Sequence, residues 1–153
     1  TLDEGKALIN GILAGAPALS EDREVVIAPP FTHLPQTVDQ LNGQSFYAAA
    51  AQNCYSEAAG AYTGEVSAGM LKSAGAAYVI IGHSERRMYF GEDDAQLARK
   101  TDQALANGLR VIFCCGEPLE VRDAGTEKTY VATQIKAGLF HLDAAQLQHI
   151  VIA

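Results

Sequence analysis

The chain has 153 residues, 48% of them hydrophobic and 19% charged, with a formal net charge of −7. That length suits one domain with a real core, or part of a larger single-domain barrel. The acidic balance speaks against nucleic acid, whose sequence-independent binding needs clustered Lys and Arg, and leaves an anionic small substrate to be held by local groups.

In chain order, residues 1–14 read as a helix, with Thr1 as N-cap, Asp3 and Glu4 in the first turn, and Leu8, Ile12 and Leu13 on one face. The apolar run 25–28 reads as a strand closed by Pro29-Pro30. A helix over 32–41 stops near Asn42-Gly43, and a second strand follows over 46–51. Val66, Met70, Leu71 and Ala74 have helical spacing, with Gly75 just past the end. A third strand is expected over 77–81, an amphipathic helix over 93–107 through Leu97, Thr101, Ala104 and Leu105, and a fourth strand over 111–115. The last two elements are a helix over 126–140 and a strand over 149–153.

Short apolar strands alternating with helices predict an α/β fold with parallel pairing. The longest apolar runs are strand-sized and cannot cross a membrane, and no basic segment precedes an apolar one, so no secretory signal is expected. Cys54, Cys114 and Cys115 have neither disulfide-framework nor C-x-x-C spacing, which points to reduced thiols in the cytoplasm. Neither a metal nor a cofactor is called for. The lack of an initiator methionine and a final apolar run over 150–153 lead to the expectation that the chain is one segment of a longer domain.

In α/β folds ligands sit beyond the C-terminal strand ends, which directs attention to Pro29-Pro30, Gln52-Asn53, His83 and Gly116-Glu117. In the run Gly82-His83-Ser84-Glu85-Arg86-Arg87, a histidine stands where a strand ends and a helical turn begins. Backbone N–H groups and the helix dipole there favour the uncharged ring, which can donate a hydrogen bond to a substrate oxygen. Gly82 permits close approach of a ligand or another backbone, and Ser84 and Glu85 could cap the turn. Equally open on spacing alone is a histidine that only caps a helix. His33, His141 and His149 read as structural or surface residues.

The segments "YVIIGHSERRMYFGE", "APPFTHL", "AAQNCY", "AYTGEVSAGMLK", "VIFCCGEPLEVRDAGTE" and "HIVIA", in this order, closely resemble the triosephosphate isomerase family over essentially all of residues 1–153. The resemblance implies a partial (β/α)8 barrel lacking the first strand and everything after the sixth. In that family a neutral, electrophilic histidine works with a glutamate base. His83 would then polarise the carbonyl of a triose phosphate, supported by Ser84 and Glu85. Gln52-Asn53 through Glu65 would form an arm reaching into a second subunit of a homodimer, with Thr63 at its tip, Gly64 beside it, and Glu65 and Arg86 paired across the interface. Cys114 would be the family's buried strand cysteine, and residues 116–125 a structural stretch braced by Glu117, Glu120 and Arg122.

The resemblance puts the glutamate base, the catalytic lysine and the phosphate-gripping loops outside residues 1–153. The expectation is therefore a triosephosphate isomerase of glycolysis and gluconeogenesis, present as a truncated chain inactive alone, that associates with other copies. The alternative is a non-catalytic, self-associating α/β module derived from it. An aldolase or epimerase would want a Schiff-base lysine or metal ligands at strand ends, whereas Lys72, Lys100, Lys128 and Lys136 fall on helices.

Overall fold

The computed structural model describes residues 1–16 and 19–153. Helix α1 (Leu2–Gly15) begins with a capping box in which the Thr1 hydroxyl accepts from the Glu4 amide and the Glu4 carboxylate reaches back to Thr1. Strand β1 (Val25–Ile27) leads through a 3-10 turn (Phe31–His33) into α2 (Leu34–Leu41), whose second residue is Pro35, where a missing N–H costs nothing. Strand β2 (Tyr47–Ala51), α3 (Ala68–Ser73) and β3 (Tyr78–Ile81) follow. Beyond them come α4 (Ser84–Phe90), α5 (Asp94–Ala106), β4 (Arg110–Phe113), α6 (Leu119–Asp123), α7 (Glu127–Leu139), α8 (Ala144–Leu147) and β5 (Ile150–Ile152).

All five strands are parallel and lie in sequence order, β1-β2-β3-β4-β5. The result is an open part of a (β/α)8 barrel. Along each strand alternate residues face opposite sides. Val79 and Ile81 on β3 stand beside Val111 and Phe113 on β4, and this layer joins Ala49, Ala51, Leu97 and Leu139 in the buried core under the helices. The other face carries Ile80, Ile112 and Val151; the first two are half-buried and Val151 is exposed. The chain accordingly exposes 9027 Å², against roughly 7,500 Å² for a compact monomer of its mass.

Three of the helices, α4, α6 and α8, were not expected. They have seven, five and four residues, too short for an apolar repeat to show. The predicted helices are otherwise found, with ends shifted by at most two residues. The stretch 116–125 is not a plain loop, because it contains α6. Its bracing is the expected kind: Arg122 Nε donates to Glu117 Oε1 at 2.7 Å. At the N-terminal rim of the sheet, Tyr78 donates its hydroxyl proton to Glu24, and the Arg110 guanidinium lies 4.6 Å from the centre of the Tyr78 ring.

Helix α7 rests on β4 through Gly138, where a Cβ would stand 2.3 Å from the tip of the fully buried Phe113 ring. Helical propensity alone favours alanine over glycine by about 1 kcal/mol, but overpacking of this kind costs about 1–3 kcal/mol, so the clash decides the sign. Gly11 in α1 has open space around its Cβ position. In urea denaturation, Gly138→Ala is expected to lower the unfolding midpoint and Gly11→Ala to raise it slightly. Equal shifts in the same direction would remove the packing account of Gly138.

Candidate active site

The C-terminal ends of β1, β2 and β3 bring residues from distant parts of the sequence to one rim. A cavity of about 360 Å³ lies there, lined among others by Phe31, Gln52, Asn53, His83, Glu85 and Tyr89. A larger concavity of about 570 Å³ sits outside the sheet against α5 and α7. The smaller one is the candidate site, because it holds the histidine and lies where parallel sheets place ligands.

His83 is positioned by the backbone on both sides of it. Gly82 has φ +83°, and a Cβ there would stand 2.8 Å from the Cys114 carbonyl oxygen, so the chain can step from β3 to α4 only through glycine. Arg87 reaches back over this step: Nε donates to the Gly82 carbonyl at 3.0 Å and one terminal nitrogen to Asp94 at 2.6 Å. The cap is His83, one of the two options the sequence left open, rather than Ser84 or Glu85: its Nδ1 accepts from the Glu85 amide at 3.3 Å. With seven residues, α4 carries little dipole. This single amide, more than the dipole, orients the ring.

A neutral imidazole that accepts at Nδ1 holds its proton on Nε2, which is thereby a donor. The Glu85 carboxylate also lies 3.6 Å from Nδ1. It is 70% exposed, so water screens it, and the backbone amide already occupies the Nδ1 lone pair. The geometry thus offers one N–H donor at the mouth of a half-enclosed cavity. Among the described residues, Glu85 is the one carboxylate lining that cavity.

The remaining sequence-predicted residues divide into two groups. Gln52 donates to the Ala28 carbonyl at 2.9 Å, joining the ends of β1 and β2, and Asn53 is buried beside it. Thr63, Gly64 and Glu65 stand exposed on the arm between β2 and α3. The arm is folded on itself by the Tyr55 and Tyr62 rings, 4.7 Å apart, and by the Glu65 amide donating to the Tyr62 carbonyl. Arg86 has a partner inside the chain, its Nε donating to Glu92 Oε1 at 2.6 Å while its guanidinium covers the Phe90 ring.

Sequence reasoning missed the burial of two residues here: Glu92 went unremarked, and Lys100 was noted only as a helical lysine. Glu92 and Lys100 are both buried, with Lys100 Nζ 2.6 Å from Glu92 Oε1 and 2.8 Å from Asn53 Oδ1. The signal was available: Lys100 falls between Leu97 and Ala104 on the apolar stripe of α5. The cysteines also exchange roles. Cys114 is only half-buried, because β4 ends at Phe113 and leaves it on the rim, whereas Cys54 is wholly enclosed. All three thiols are free. No helix among the described residues is long and apolar enough to cross a membrane.

Comparison with known sequences agrees with this architecture. The family model described as Triosephosphate isomerase matches residues 1–153. A triosephosphate isomerase of Chloroflexus aurantiacus is 49% identical over 153 residues, covering 100% of this chain and 60% of its own length. Those of Herpetosiphon aurantiacus and Syntrophotalea carbinolica are 47% and 46% identical, covering 99% and 100% of the chain and 60% of their own lengths. The chain spans about three fifths of the curated relatives it matches.

Burial pushes the Cys54 thiol up from its ordinary 9.0 to about 12, with nearby Lys100 opposing the shift. Because the folded value is the raised one, the contribution to stability is complete below about pH 9 and is lost as pH rises towards 12. Iodoacetamide is expected to label Cys114 and Cys115 in the native protein and Cys54 only on unfolding. Mass spectrometry after brief labelling reads this directly, and rapid native labelling of Cys54 would contradict its enclosure.

Proposed function

The chain belongs to the triosephosphate isomerase family, and from that premise we propose that residues 1–153 carry the electrophilic half of a site interconverting glyceraldehyde 3-phosphate and dihydroxyacetone phosphate. The observation that supports this best is the Glu85 amide on Nδ1 of His83, which leaves Nε2–H as the donor at the cavity. When a base removes the proton next to the substrate carbonyl, negative charge grows on the carbonyl oxygen. A fixed N–H donor stabilises that enediolate oxygen more than the ground-state carbonyl. The same nitrogen, between two adjacent oxygens, can give a proton to one and take it from the other. Ser84 and Glu85 support the ring from the first turn of α4.

The base has to face His83 across the cavity, and Glu85 cannot serve, because it stands on the same turn as His83 with its carboxylate 3.6 Å from Nδ1. The base and the groups gripping the phosphate are therefore contributed from outside these 153 residues, and the segment alone is expected to be inactive. With a net charge of −7, the phosphate must be held by local donors rather than by the overall field.

The exposed arm with Gln52 and Asn53 at its base and Thr63, Gly64 and Glu65 near its tip is read as a contact to a second copy of the protein, alongside Arg86 and the exposed Tyr89 and Phe90. Free thiols fit action in the reducing cytoplasm.

Two outcomes are expected. A chimera in which residues 1–153 replace the matching segment of the Chloroflexus aurantiacus relative isomerises glyceraldehyde 3-phosphate, and His83→Gln lowers its kcat by about 10²–10⁴-fold. A folded chimera that is inactive, or indifferent to His83, would overturn the proposal. In sedimentation equilibrium the same chimera is a dimer, and Thr63→Arg weakens it by about tenfold or more, equivalent to about 1.4 kcal/mol. An unchanged dimer would remove Thr63 from the interface.

A further inference from the structure

We propose that the buried Lys100–Glu92 pair is the positioning element of the His83 site, holding the α4 turn in register with the end of β2 at Asn53. This deepens the reading of His83 as the electrophile and rests on it. Lys100 is 1% exposed, yet its ammonium reaches two elements at once, Glu92 Oε1 at 2.6 Å and Asn53 Oδ1 at 2.8 Å. The same Glu92 oxygen accepts from Arg86 Nε at 2.6 Å. Arg86 in turn donates its backbone N–H to the His83 carbonyl at 2.9 Å. A continuous chain of contacts thus runs from Asn53 through Lys100, Glu92 and Arg86 to His83.

Stability does not explain this arrangement. Two buried charges are expensive to desolvate, and apolar side chains of similar volume commonly hold such a space as well or better. Glu92 Oε2 is buried and has no partner among the described residues, a further penalty. What ion pairing supplies and apolar packing does not is direction. Short charge-assisted hydrogen bonds fix two side chains, Arg86 and Lys100, on one Glu92 oxygen, and Asn53 and His83 line the same cavity. A displacement of about 1 Å at a reacting group is enough to lower a rate severely. Lys100 touches neither the cavity nor a substrate; it acts through Asn53 and Arg86.

The test uses the 153-residue chain and needs no turnover, so its result is independent of the isomerase assay. The imidazole Cε1–Hε1 cross-peak of His83 is followed by NMR, together with amide exchange at Arg86 and Arg87, whose N–H groups bond the His83 carbonyl. Lys100→Met is expected to broaden or split the His83 cross-peak. It should also speed exchange at those two amides by about tenfold relative to Val79 and Val111 in the sheet. A single unmoved cross-peak, or exchange rising equally at all four amides, would overturn the proposal and leave the pair a purely structural one. If Lys100→Met does not fold, Asn53→Ala removes one acceptor and keeps the ion pair. It should change the same signals in the same direction by about threefold, and no change there would overturn the proposal equally.

Discussion

Helices cover one face of the five-stranded sheet, and the rest of the molecule is organised by that asymmetry. Parallel strands need both faces shielded from water. Here the layer of Val79, Ile81, Val111 and Phe113 is shielded by the helices, while Ile80, Ile112 and Val151 look into the concave side that a closed barrel fills with its own side chains. The covered face supplies the cohesion, through contacts as close as Gly138 on Phe113. The strand ends are left free to carry polar groups, His83 among them.

Those polar groups are concentrated in the run His83-Ser84-Glu85-Arg86-Arg87, and their density has a mechanical cause. The two arginines leave the same turn in different directions. Arg87 returns to the Gly82 carbonyl and to Asp94, and Arg86 goes to Glu92. Glu85 contributes its amide to the histidine ring. A turn of seven residues has too little apolar surface to be held by packing. Met88, Tyr89 and Phe90 are all largely exposed. Hydrogen bonds from charged groups replace the missing burial, which explains why so polar a stretch can follow directly on a buried strand.

The βα rhythm was legible because each strand and each long helix has its own periodicity, and the position of His83 beyond β3 followed from that rhythm alone. The short helices α4, α6 and α8 were not, since four to seven residues give an apolar repeat no room. Lys100 was read as one more helical lysine because its type outweighed its place on the stripe with Leu97 and Ala104; its burial depends on Glu92 and Asn53, residues 8 and 47 positions away. The cysteines were judged from likeness to a family, which cannot register that β4 stops one residue short of Cys114. The cap was legible only as a choice: spacing allowed either Ser84 and Glu85 or His83 itself to cap the turn, and the position of the ring beside the Glu85 amide decides for His83. The residues on the arm were located in the sequence as a group, while the internal partner of Arg86 was not.

The strand order has a consequence for how the chain acquires its structure. Every strand pairs with the one before it in the sequence, β1 with β2 and so on to β5, and no strand has to wait for a later one to be inserted beside it. A chain emerging from the ribosome N-terminus first can therefore dock each βα unit onto a template already made, as domains fold during synthesis. Loop closure is paid in short increments of about thirty residues per unit instead of one long-range search. The partners of Arg87, Asp94 on α5 and the Cys114 carbonyl just past β4, are synthesised after β3 and its glycine step at Gly82. The histidine is thus made before the groups that brace its turn from outside, and that bracing is complete only once α5 and β4 have settled.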